Sequence, residues 1–195
     1  MSFEDLFSEM LAYAPQSAQE AADKQLILDC CVRFGCAVLG RHPIAHLTAS
    51  GFIVNAGASR VLLAHHNIRD TWAWTGGHAD GDADLLAVSL REAQEETGLL
   101  RVDTVTPRIL SLDVLPVFGH SKRGKWVSSH LHLSVSYLLW ADESQPLHVK
   151  ADENSGVQWF PADYISPENF SATDTALYEK MLARAVKQLQ PAPVQ

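Results

Sequence analysis

The chain has 195 residues, 47% of them hydrophobic, with 15 basic and 23 acidic side chains and a formal net charge of −8. That length and apolar content suit one compact domain with a terminal extension, and the acidic balance excludes the basic face with which proteins meet nucleic-acid polymers. No uncharged apolar run approaches the ~20 residues needed to cross a bilayer, and the acidic start MSFEDLFSEM is unlike a secretory signal, so the expected setting is the cytoplasm, away from membranes.

Residues 1–42 are expected to form a helical extension. Phe3 to Phe34 carries helix-compatible apolar positions, broken at Tyr13-Ala14-Pro15 into two short helices. The cysteines, Cys30, Cys31 and Cys36, are odd in number and lack a C-x-x-C pair, which predicts buried, reduced thiols rather than disulfides or a cysteine-rich zinc site. From Leu47 the texture is that of strands: HLTASGFIVN and RVLLAHH form a hairpin closed by an Asn-Ala-Gly turn. TWAW then runs into Gly76-Gly77, and a helix is predicted over Leu85–Thr97. Asp82 or Asp84 caps its start and Gly98 supplies its left-handed stop. Later strands are predicted at Arg108–Leu115, Ser129–Trp140 and Val157–Phe160, with a last helix over Thr173–Leu189 and a disordered tail QPAPVQ.

The stretch LREAQEETG concentrates chemistry in the Leu85–Thr97 helix. At about 3.6 residues per turn, Glu92 and Glu96 stack one turn apart with Glu95 beside them, opposite the apolar positions Leu86, Leu90, Ala93 and Thr97. Like charges at i,i+4 cost roughly 0.2–0.5 kcal/mol per pair, so such a face is built to meet a cation. Magnesium prefers near-octahedral oxygen ligands, and carboxylates on a rigid helix supply them.

Read as one unit, GGHADGDADLLAVSLREAQEETGL has the order of the Nudix box, running from Gly77 to Leu99, and the chain resembles the Nudix hydrolase family there. Two positions depart from the pattern: the loop glutamate of the family falls on Ala83, between Asp82 and Asp84, and Thr75 stands where many members have proline. The resemblance implies an α/β fold, a Nudix-type α/β/α sandwich with a mixed β-sheet. Residues 43–165 would form the Nudix hydrolase domain, and 166–195 its C-terminal helix and tail. It implies Mg2+, with Mn2+ as substitute, held by Glu92, Glu95, Glu96 and a main-chain carbonyl near Gly76 or Gly77, and Arg91 holding a glutamate in place. The implied reaction is hydrolysis of the diphosphate linkage in a nucleoside diphosphate joined to another moiety. The general base is left between Glu95 and Glu153, with Glu143 a weaker candidate. The partner is a small nucleotide derivative, and a homodimer is compatible with the family's habits.

Outside the box, Trp72 and Trp74 share a strand side and offer rings for a nucleobase, although strand aromatics are more often structural. His78 and Arg123, the latter in the hairpin loop HSKRGKW, are further candidates for substrate contact. The histidines, nine in all, lack a helical H-x-x-x-H and read as scattered, which argues against a transition-metal site. The D-G-D-A-D run opens like an EF-hand loop but has Leu85 where the turn glycine belongs and Arg91 where the closing glutamate belongs. Two rival functions remain: a catalytically weak sensor of nucleotide ligands on the same fold, for which Ala83 speaks, and an isomerase of isoprenoid diphosphates. The isomerase requires a Cys–Glu acid–base pair, and every cysteine lies upstream of Leu47.

Overall fold

The computed structural model describes residues 1–67, 69–122 and 124–189. The predicted tail lies outside them. Helix α1 (Phe3–Ala12) begins at a reciprocal cap, with the Ser2 hydroxyl accepting from the Asp5 amide at 3.1 Å and the Asp5 carboxylate accepting from the Ser2 amide at 2.9 Å. Ser17 caps α2 (Ala18–Phe34) in the same role, its hydroxyl accepting from the Glu20 amide. A 3₁₀ turn, Gly35–Leu39, follows; it buries Val38 and Leu39. Cys30 and Cys31 are buried as expected, but Cys36 is exposed, because this turn directs its two aliphatic residues inward and leaves the thiol on the outside.

The remaining elements are β1 (Ala45–Val54), β2 (Arg60–His66), β3 (Thr71–Ala73), β4 (Thr75–His78), α3 (Leu85–Thr97), β5 (Asp103–Val117), β6 (His120–Lys122), β7 (Lys125–Val127), β8 (His130–Trp140), β9 (Asn154–Pro161) and α4 (Ala172–Leu189). The main sheet has the order β3-β2-β1-β8-β5, with β4 joined to β1 and β9 to β2, while β6 and β7 form a separate hairpin. Strands and helices thus share one α/β chain, which divides into two compact units. The first holds Met1–Ser50, Gly76–Ser89 and Ser111–Ser136; the second holds Gly51–Thr75, Leu90–Leu110 and the chain from Tyr137 on. None of the described helices is long and apolar enough to cross a membrane.

Within the first unit, α2 is fastened to β5 by polar groups withdrawn from water. The fully buried Glu20 carboxylate accepts from the Tyr13 hydroxyl at 3.0 Å, the Gln16 amide at 2.8 Å and the Ser111 hydroxyl at 2.8 Å. Asp23 accepts from the Val114 amide at 3.0 Å. Strand β4 approaches β1 so closely that a Cβ on Gly76 would stand 2.7 Å from the Ala49 carbonyl oxygen. Only glycine fits there.

In the second unit β2 has β9 along one edge, from Arg60↔Pro161 to His66↔Asn154, and β1 followed by β3 along the other. The β1–β2 turn is closed by Asn55, whose side-chain oxygen accepts from the amides of Ser59 at 2.9 Å and Arg60 at 3.1 Å. The left-handed residue of that turn is Ala58, at φ 49°, rather than Gly57 of the expected Asn-Ala-Gly. Helix α4 buries Tyr178, Met181 and Ala185, and its Arg184 donates to the Leu110 carbonyl at 2.8 Å.

Candidate functional site

Helix α3 starts where Asp84 accepts from the Ala87 amide at 3.1 Å, while Asp82 accepts from the Asp84 amide at 2.9 Å. Asp84 is therefore the cap, and Asp82 sets it in place through an Asx turn. Ala83 between them is buried and has no carboxylate to offer. The helix ends at Gly98, φ 71°, whose amide donates to the Gln94 carbonyl at 2.8 Å.

The buried side of α3 is one position away from the expected one. Leu85, Val88, Ser89, Ala93, Glu96 and Thr97 are buried, whereas Leu86 and Leu90 are only partly so. The i,i+3/i+4 row that begins at Leu85 and Val88 continues through Glu92 to Glu96, so these two carboxylates prolong the buried stripe while Glu95 stands in solvent. The three glutamates do not share one open face.

The structure instead brings Glu92 and Glu96 together with Glu153, one ligand oxygen of each lying within 4.8 Å of the others. Glu95 sits beside this trio, 3.2 Å from the Lys150 ammonium, which is 3.1 Å from Glu153. Arg91 lies 3.8 Å from Glu92 and 3.9 Å from Glu95, ion pairs longer than hydrogen bonds. Burial, reinforced by the charge of Glu95, raises the pKa of Glu92 against the opposing pull of Lys150 and Arg91. Burial works against the Lys150 ammonium, yet its hydrogen bonds to Glu153 and Glu95 outweigh that and raise its pKa.

The 150–154 segment is tied to the helix by Asn154, which is 2% exposed. Its side-chain amide donates to the Glu96 carbonyl at 2.9 Å, and its side-chain oxygen accepts from the Lys150 amide at 3.1 Å. Lys150 and Asn154 were not legible as site residues. Their partners on α3, Glu95 and Glu96, lie more than fifty positions upstream, and no local periodicity links the two stretches.

Gly76 and Gly77 belong to β4 in the first unit. Trp72 meets Phe160 edge-on at 4.7 Å and His65 at 5.2 Å, whereas Trp74 meets Tyr178 at 5.0 Å, so the two indoles pack on different aromatic partners. Glu143 lies apart, 3.7 Å from Arg60. Arg123 lies outside the described residues. His78 is not isolated: four of the histidines read as scattered gather within the first unit, His46 and His132 each in ring contact with the other and with both His78 and His130. His130 and His132 lie two positions apart on β8, and His46 arrives from β1.

A family model described as the NUDIX domain matches residues 45–181. Among solved structures, the E. coli dihydroneopterin triphosphate pyrophosphohydrolase superposes with TM-score 0.53 at 15% identity, over 75% of this chain and 99% of that one. A NUDIX family hydrolase from Clostridium perfringens gives 0.49 at 21% identity over 74% and 95%, and a C. elegans Ap4A hydrolase gives 0.46 at 17% over 70% and 95%. No curated protein matches the chain. The first of these superpositions shows a common fold, a mixed sheet with helices on both sides.

Proposed function

Since the chain belongs to the Nudix family, we propose that it is a magnesium-dependent pyrophosphohydrolase cleaving the diphosphate linkage of a nucleoside diphosphate joined to another moiety. The observation that carries this reading is the convergence of Glu92, Glu96 and Glu153. The donor set fits the ion: all three offer hard oxygens, and Glu92 and Glu96 are drawn out of water, where a dication would offset their desolvation. Manganese suits the same ligands.

When bound, the ion supplies polarisation of a phosphoryl oxygen and acidification of a coordinated water. The chain's own residues do the rest. Glu92, Glu96 and Glu153 hold the ion. Glu95, outside the trio, takes the proton of the attacking water, and Arg91 keeps its carboxylate oriented. Lys150, beside Glu95 and Glu153, would offer its ammonium to a substrate phosphate. Contacts to the remainder of the substrate are assigned to Trp72 and Trp74, each only partly buried. The setting we propose is the cytoplasm, with a homodimer to be sought by sedimentation.

The second reading, a weakly catalytic nucleotide sensor, is favoured by Ala83 and by Lys150, which already neutralises part of the carboxylate cluster. A screen with Mg2+ or Mn2+ over ADP-ribose, NADH, nucleotide sugars, dinucleoside polyphosphates, CoA and nucleoside triphosphates separates the two. We expect metal-dependent turnover of one class, with Glu95→Gln lowering kcat by about 10²–10⁴-fold and leaving KM nearly unchanged. Equal turnover by the variant refutes the assignment of Glu95. Binding without turnover by either protein selects the sensor.

A further inference from the structure

The imidazole cluster of the first unit uses none of the residues that hold the glutamate site. Its ring centroids are closely spaced: His46 is 4.9 Å from both His130 and His132, and His130 is 5.2 Å from His132. His78 packs edge-on against His132 at 5.1 Å. One ligand nitrogen from each of His46, His130 and His132 lies within 4.8 Å of the other two.

Two of the tautomers are fixed by main-chain carbonyls. His46 Nδ1 is 2.9 Å from the His42 carbonyl oxygen, and His130 Nδ1 is 2.8 Å from that of Ser128. A carbonyl can only accept, so each Nδ1 carries the hydrogen and each Nε2 keeps its lone pair. This is the arrangement by which metal-bound histidines are oriented through the ring nitrogen that faces away from the ion. The Nε2 atoms of His46 and His132 are buried and have no hydrogen-bond partner among the described residues. A polar atom left unpaired in the interior costs about 1–3 kcal/mol, and two in one cluster require an explanation.

We propose that His46, His130 and His132 form a binding site for a divalent transition-metal ion, zinc foremost, through three imidazole nitrogens. Three histidines with an open fourth position are an established zinc donor set, and imidazole suits Zn, Cu and Ni where magnesium takes oxygen. The lone pair that His46 Nε2 keeps suits a cation and not an anion, which would need a hydrogen donor there. The nearby Arg41 guanidinium is engaged by Asp80 at 2.8 and 2.9 Å, which tempers its repulsion of a cation. Tetrahedral zinc at about 2.0–2.1 Å from each nitrogen places them about 3.3 Å apart, so the trio has to draw together by at most about 1.5 Å.

The test uses the full chain stripped of metal and held in excess Mg2+, which saturates oxygen donors, and reads Co2+ binding by visible absorption without any substrate. The expected result is one equivalent of Co2+ with the intense bands of a four-coordinate nitrogen site, displaced by one equivalent of Zn2+. His130→Gln and His132→Gln should each weaken binding by about tenfold or more, while Glu92→Gln keeps the bands. The proposal is overturned if the unsubstituted chain binds neither ion stoichiometrically. It is equally overturned if folded His130→Gln binds as tightly, or if the bands follow Glu92 instead of the histidines. Should His132→Gln fail to fold, His130→Gln, at a partly exposed ring, decides alone.

Discussion

Gly98 shows how much one residue can fix. It ends α3 at φ 71°, and a Cβ added there would stand 2.7 Å from His148 Cβ and 2.8 Å from His148 N. The His148 amide also donates to the Thr97 carbonyl at 2.8 Å, so His148 cannot simply step aside. Gly98→Ala should therefore lose about 1–2 kcal/mol from the left-handed backbone alone, with the collision added, read as a lower urea midpoint at constant slope. An unchanged midpoint would contradict this geometry. The thiols give a second check at the same scale. Burial pushes Cys31 up to about 12 and raises Cys30 as well, whereas Cys36 is exposed. At pH 8 one thiol of the native chain should react with a disulfide reagent, and all three in denaturant. Two fast thiols in the native state would show that the α2 face opens. The sign for stability follows: Cys31, raised on folding, costs nothing below its ordinary thiol pKa, and stability then falls by up to about 1.4 kcal/mol per pH unit as pH climbs toward 12.

At the scale of elements, α3 was legible to its ends because its signals are local: Asp84 before it, Gly98 after it, and helix-forming residues between. Its buried side was not, since counting apolar residues places charges outward, and Glu92 and Glu96 turn inward toward Glu153 from a distant segment. Strand β5 runs Asp103–Val117, longer than the predicted Arg108–Leu115, because polar Thr104, Thr106 and Arg108 with Pro107 disguise a strand whose first half is largely unburied. The loop that delivers Glu153 was visible only as an acidic stretch. Asn154 makes it a structural partner of α3, and Asn154→Ala deletes both of its hydrogen bonds. We expect a loss of about 1–3 kcal/mol and a fall in metal affinity measured by Mn2+ titration, with Asn154→Asp restoring only the bond from the Lys150 amide. If Mn2+ affinity is unmoved while stability drops, Glu153 is not held by this tether.

At the scale of the molecule, the family match begins at residue 45, so α1 and α2 lie outside it, yet they are not loosely appended. Leu6, Met10 and Ile27 are fully buried, and Glu20 brings a carboxylate into the same unit, where Ser111 and Asp113 of β5 are also buried. The sequence displayed the apolar positions of these helices but not this polar fastening, because a glutamate in a helix reads as a solvated residue until its partners on β5, some ninety residues away, are seen. Removing the helices would deprive the Ser111 hydroxyl and the Val114 amide of β5 of their partners on α2. Glu20→Ala isolates the polar part of that interface. It takes the shared acceptor from the Tyr13 hydroxyl and the Gln16 amide, each at a cost of order 1 kcal/mol unless water enters, whereas the Ser111 hydroxyl keeps the Asp113 carboxylate at 2.6 Å. The variant should unfold at lower urea than the full chain, and limited proteolysis should cut first around Tyr13–Ser17, between α1 and α2. A chain of residues 43–195 should fare worse still, losing cooperative thermal unfolding. If that shortened chain melts as the full one does, the helices are passengers and β5 is stable without them. If it fails while Glu20→Ala merely weakens, apolar burial by α1 and α2 dominates and the buried carboxylate serves to select the register in which α2 lies on β5.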